Sequence, residues 1–177
     1  MHIGKSGIGA VSAAATIAAF SLWTGLASAD NAHSAADQPG PLVEDYSYPG
    51  AADIQQKYNV VLTSGDGHIV FADCATPPDG NVGVLQIRST ETVGKDGLVC
   101  FKVLGATGRL SLKIPAVFEI RGDGRVAGSG HKMKADLTTD AGQHSTVDVG
   151  GFGSVPVGIG ANPNNAPTTL LQLTVNP

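Results

Sequence analysis

Three kinds of residue in this chain could carry chemistry. They are the tripeptide Arg121-Gly122-Asp123, the cysteines Cys74 and Cys100, and a scatter of histidines and Gly-Asp-Gly stretches. Arg-Gly-Asp serves as an adhesion signal only when guanidinium and carboxylate are presented together on an exposed loop. Its setting here, Phe118-Glu119-Ile120-Arg121-Gly122-Asp123-Gly124-Arg125, first suggests something plainer. Phe118-Glu119-Ile120 is strand-like, Asp123-Gly124 is a two-residue hairpin signal, and Arg125-Val126 can begin a return strand. The segment is therefore predicted as a tight turn, with Phe118 and Ile120 facing the core and Arg121 and Arg125 in water. An adhesion-like role for the turn is the special case.

Gly65-Asp66-Gly67 and Asp96-Gly97 are relatives of that turn. Calcium takes about six to eight oxygen ligands, whereas each of these loops offers one carboxylate, so all are predicted to be turns. His33, His68, His131 and His144 have no metal-ligand spacing; His68 and His131 together with Asp73 or Asp123 would need the fold to gather them. They are expected at solvent-facing strand ends, and no metal site is assigned. A nucleophile elbow, a His-Glu-x-x-His helix and a phosphate loop are all missing from the sequence. Gly150-Gly151-Phe152-Gly153 lacks the strand-turn-helix setting of a dinucleotide fingerprint and reads as a loop. No catalytic residue and no cofactor are assigned.

The two cysteines belong to a chain with an export signal. Lys5 precedes an apolar run over residues 8–26, followed by Ala27-Ser28-Ala29, the small-x-small pattern of a signal-peptidase site. Residues 1–29 are expected to be a signal peptide and residues 30–48 a flexible leader. In an oxidising compartment an even cysteine count makes a Cys74–Cys100 disulfide the default. Closing a loop of about 27 residues contributes roughly 3.5 kcal/mol on the loop-entropy model. A redox Cys-x-x-Cys is absent, and no Cys/His spacing suits zinc.

Cleavage would retain all 15 acidic residues and lose Lys5, one of 11 basic ones. The remaining basic residues form no stripe, which argues against nucleic acid or an anionic membrane as partner.

The elements that must position these groups are mostly strands. Residues 49–57 suit a short helix, with Pro49 near its start. Thereafter the period changes to two. Strands are expected over residues 58–63, 68–73, 82–89, 98–104, 108–114, 116–120, 131–138, 145–149, 155–159 and 169–175, with Ser64-Gly65-Asp66-Gly67 as a hairpin loop between the first two. Pro115 cannot donate to a ladder, so it marks an edge, a bulge or a change of sheet. About nine strands with Gly, Asp and Pro punctuation predict an antiparallel β-sandwich of Ig-like or Greek-key type over residues 49–177.

The stretches Tyr48-Pro49-Gly50-Ala51, Ser64-Gly65-Asp66-Gly67-His68-Ile69-Val70-Phe71-Ala72-Asp73-Cys74 and Val99-Cys100-Phe101-Lys102 resemble a family of small, functionally uncharacterised secreted proteins of actinobacteria. Thr107-Gly108-Arg109-Leu110-Ser111-Leu112, Pro115-Ala116-Val117-Phe118-Glu119-Ile120, Thr146-Val147-Asp148-Val149 and Leu170-Leu171-Gln172-Leu173 fit the same family. The resemblance implies a signal peptide, paired cysteines at Cys74 and Cys100, and a β-rich domain. It carries over no catalytic residue. The function expected is a non-enzymatic extracellular or cell-envelope binding module with an unidentified protein or envelope partner. The alternatives are an extracellular hydrolase with a dispersed acid/His site, or a structural envelope protein.

Overall fold

The computed structural model describes residues 46–176. The expected signal peptide, the leader as far as residue 45, and His33 lie outside the described residues. Among the described residues the fold is all-β and antiparallel, with one α-helix. In chain order the elements are α1 (Ala51–Tyr58), β1 (Val61–Gly65), β2 (Ile69–Ala72), β3 (Leu85–Ser89), β4 (Leu98–Val103), β5 (Gly108–Arg121), β6 (Met133–Thr139), β7 (His144–Val149), β8 (Ser154–Pro156) and β9 (Thr168–Val175). A one-turn 3-10 helix, Gly158–Gly160, precedes β9.

β5 organises everything else. Its first half alternates cleanly: Leu110, Leu112 and Ile114 are buried, while Arg109 and Lys113 are exposed. That half pairs with β1 on one edge and β9 on the other. β9 continues to β6, and β6 to β7. At Pro115 the strand changes partners, as a residue unable to donate to a ladder allows. Ala116 takes a left-handed backbone, φ 47°, and the pairing register slips opposite Arg88 and Ser89. Phe118 is the extra residue of that bulge, so Val117 and Ile120, and not Phe118, fill the core beyond it.

The second half of β5 pairs with β3 and β8, and the ladder continues through β4 to β2. The two expected strands around Pro115 are thus one long bent strand. Among the described residues the nine strands form one unclosed sheet, with β1, β9, β6 and β7 as one arm and β3, β4, β2 and β8 as the other, joined through β5.

One hydrophobic cluster takes side chains from both arms. Leu62, Leu110, Leu137 and Leu173 come from one, and Ile69, Leu85, Ile87 and Phe101 from the other. Fully burying each contributes about 1.5–3 kcal/mol. Helix α1 has no buried residue of its own, but Ala51, Ile54 and Tyr58 pack against this cluster. Asp53 in its first turn and Lys57 in its last suit the helix dipole.

Two local expectations are corrected by the pairing. β1 and β2 do not form a hairpin: β1 pairs with β5 and β2 with β4, so Ser64-Gly65-Asp66-Gly67 is a crossing between arms. Tyr46–Tyr48, placed by sequence in the leader, is tied to β1: the Tyr48 amide donates to the Thr63 carbonyl at 3.1 Å and the Gly65 amide to that of Tyr46 at 3.0 Å. Asp96-Gly97 is a tight hairpin turn, with φ 55° and 78° and reciprocal Lys95–Leu98 hydrogen bonds.

Candidate functional site

The end of β5 carries the tripeptide singled out from the sequence. Beyond Arg121 the chain does not turn back. It runs on through bends at Asp123 and Arg125, hydrogen-bonded on both edges. On one side the Gly122 amide donates to the Gly153 carbonyl (3.0 Å) and the Gly124 amide to that of Gly151 (2.7 Å). On the other, the Gly83 amide donates to the Asp123 carbonyl (2.7 Å) and the Arg125 amide to that of Asn81 (2.9 Å). The reversal comes four residues later than expected, at Val126-Ala127-Gly128-Ser129, closed by the Ser129 amide on the Val126 carbonyl at 3.1 Å.

The expected exposed Arg-Gly-Asp turn is therefore corrected. Gly122, Asp123 and Gly124 are buried, whereas Arg121 and Arg125 are exposed, as anticipated. The Asp123 side chain has no exposure at all. Its Oδ1 accepts the His131 backbone N–H at 2.8 Å, and its Oδ2 lies 2.6 Å from His131 Nδ1. Nδ1 and Oδ2 thus share a hydrogen bond, and Nε2 is the ring's remaining polar atom. A carboxylate engaged in this way is not available for joint presentation with Arg121.

Backbone packing around the pair is tight enough to require glycine. A Cβ at Gly122 would overlap the Gly150 and Gly151 carbonyls. At Gly130, with φ 83°, it would lie 2.7 Å from Asp123 Oδ1 and closer still to the Gly124 amide. Three glycine-rich segments thus pack into one knot, with the aspartate at its centre. Ser129 assists by accepting from the Val126 amide (3.2 Å), and its hydroxyl lies 3.0 Å from the Asn81 carbonyl.

The disulfide reaches the same place from the other arm. Cys74 and Cys100 are bonded, with Cα atoms 5.2 Å apart. The bond anchors the chain after β2 to β4. In the ladder Cys100 stands opposite Gln86, and Gln86 opposite Arg121, so the disulfide and Arg121 share one face of the second arm. The loop leaving Cys74 borders an open cleft of about 440 Å³. Cys74, Thr76, Pro78, Gln86, Arg121 and Arg125 are among its lining residues. Among the described residues neither guanidinium lies within ion-pair distance of a carboxylate.

The remaining candidates do not join this site. Asp66 caps its own loop, accepting the His68 amide at 3.0 Å and the Arg109 amide at 2.8 Å. Asp73 accepts the Ala75 amide at 2.8 Å. His68 lies 3.8 Å from Asp66, and His144 opens β7 on the exposed edge of the sheet. Among the described residues, no three His, Cys, Asp or Glu side chains converge as a metal-binding group. A second cavity, about 530 Å³, is bordered by Ala127, Lys132, Met133, Asp148, Val149 and Phe152. No helix among the described residues is long and apolar enough to cross a membrane.

The Asp123–His131 pair has the geometry in which a carboxylate orients an imidazole for proton transfer. Among the described residues, however, no hydroxyl or thiol is hydrogen-bonded to that ring, and His131 does not line the cleft. The pair's observable work is to tie the Gly130-His131 strand entry to the Arg121–Arg125 segment. Sequence inspection missed the contribution of Gly150-Gly151-Phe152-Gly153 and of Asn81. The only available signal was the density of glycine in three separated segments. A scan against protein-family models finds no match to this chain, and a search of curated proteins finds none either.

Proposed function

We propose that this protein is an extracellular binding module whose ligand site is the cleft between the disulfide-anchored loop and the Arg121–Arg125 segment. The observation that carries this is the convergence of Cys74, Arg121 and Arg125 on one cavity, with the backbone between the arginines hydrogen-bonded along both edges. A site held in this way loses little conformational freedom on binding, which is how a modest cleft gains affinity. The export signal and the disulfide support action outside the cell, either in the medium or on the envelope, as in the small secreted actinobacterial proteins that the sequence resembles.

The test uses steric blockade. Gly83 lines the cleft, and a Cβ there would meet only ordinary contacts, 3.6 Å from the Asp123 carbonyl oxygen and 3.9 Å from Arg125 Cγ. Gly83→Phe should therefore fill the cleft and leave the fold intact. Purified protein is incubated with isolated cell-envelope material, and the retained fraction is measured. Retention is expected to fall strongly in the variant. Equal retention of both proteins would refute the cleft as the binding site.

A second reading is an extracellular hydrolase that uses His131 as base, supported by the 2.6 Å contact to Asp123. His131→Gln would then abolish any hydrolysis of envelope polymers, whereas Gly83→Phe would leave it unaffected, since His131 lies outside the cleft lining.

A further inference from the structure

Resting on the cleft as the binding site, we infer that its ligand carries an oxyanion, a phosphate or carboxylate group, held between Arg121 and Arg125. The chain is acidic, with a formal net charge of −4 at pH 7. Yet this cavity places two arginines together with no acidic partner for either among the described residues. The other charged residue in the lining is Asp123, and its carboxylate is fully buried and engaged with His131. The charge offered to a ligand in the cleft is therefore that of the two guanidiniums.

The scaffold around them suits this use. A guanidinium presents a planar fork of donors that matches a carboxylate or phosphate edge. Arg121 ends β5 directly opposite Gln86, whose side-chain amide can donate a further hydrogen bond. The Arg125 amide is tied to Asn81, so both arginines project from fixed backbone. The buried Asp123–His131 pair secures the chain between them. It also engages the one carboxylate in the cleft lining, which is then not free to pair with the guanidiniums.

The experiment is a nuclear magnetic resonance titration of the ¹⁵N-labelled exported protein. The probes are inorganic phosphate and, separately, citrate, with sodium chloride at matched ionic strength as control. Saturable amide shifts are expected at residues 76–86 and 121–125, and not with chloride. Each guanidinium removed, in Arg121→Gln and Arg125→Gln, should weaken binding roughly tenfold. A control that removes exposed charge elsewhere, Lys95→Gln with Lys113→Gln, should leave the affinity unchanged.

Binding of phosphate alone would assign a phosphate-bearing ligand, and binding of citrate alone a carboxylate-bearing one; either supports the inference. Binding of neither probe, or shifts that persist in the double arginine variant, would overturn it. If that happens while Gly83→Phe still abolishes envelope retention, the oxyanion inference falls and the cleft remains the site. If Gly83→Phe has no effect, the cleft itself is lost.

Discussion

Gly65-Asp66-Gly67 and Gly122-Asp123-Gly124 are the same tripeptide with opposite fates. In both, the carboxylate accepts two hydrogen bonds and a histidine lies near. Asp66 caps an exposed crossing between the two arms, its side chain 38% exposed and the His68 ring 3.8 Å away. Asp123 is enclosed, with no side-chain exposure and the His131 ring at 2.6 Å. The difference lies in what surrounds each loop. Beyond Gly65 the chain leaves β1 for solvent, and a Cβ at Gly67 would meet nothing within 4 Å. At Gly122 it would strike the carbonyls of a neighbouring segment. Tripeptide chemistry is thus common to both, and long-range packing decides whether it caps a loop or fastens a site.

The largest test of that contrast removes the buried carboxylate. Asp123→Ala should cost about 3–5 kcal/mol, since it removes two hydrogen bonds to a buried carboxyl group, each worth about 1.5–3 kcal/mol, and should expose the amides of residues 122–131 to exchange. Urea unfolding measures the first and hydrogen exchange the second; a loss under about 1 kcal/mol would mean that the pair is dispensable. Next comes the disulfide, whose loss through Cys74→Ser with Cys100→Ser should cost roughly 2–4 kcal/mol. The Gly83 and Arg125 amides should then lose exchange protection, while the Asp66 loop stays unchanged. Equal loosening at both loops would erase the distinction between them.

Glycine substitution sharpens the comparison at smaller scale. Gly122→Ala must displace the Gly150-Gly151 backbone and should cost about 2–3 kcal/mol, as overpacking does. Gly67→Ala, at φ 82° in open space, should cost only about 1–2 kcal/mol from left-handed strain. Thermal unfolding of the two variants side by side gives the order. The smallest effect is expected for Asp66→Ala, about 1 kcal/mol for exposed hydrogen bonds, with the envelope retention of the protein unaltered.

Much of the fold was legible in alternation. Leu110, Leu112 and Ile114 against Arg109 and Lys113 define a strand with one buried face whatever its partners are, and the cysteine pair was legible by count. The fusion of two expected strands into β5 was not, because Pro115 stops local hydrogen bonding without saying which partners take over. The site was harder still. Asp123-Gly124 carries the local chemistry of a hairpin tip, and that chemistry was overruled by Gly151-Gly153 on one edge and Asn81-Gly83 on the other. Partners some 30–40 residues away leave no mark on a local pattern.

The sequence alone determined the all-β class, the short helix at its start, the pairing of Cys74 with Cys100 and the exposure of Arg121 and Arg125. These follow from residue period, residue count and charge, each a property of a segment by itself. Only the tertiary structure decided that Asp123 is buried against His131, that the disulfide and the arginines border one cleft, and that Phe118 cedes its core place to Val117. Those outcomes depend on register and close packing between distant segments, where one inserted bulge residue or one missing Cβ changes which atoms meet.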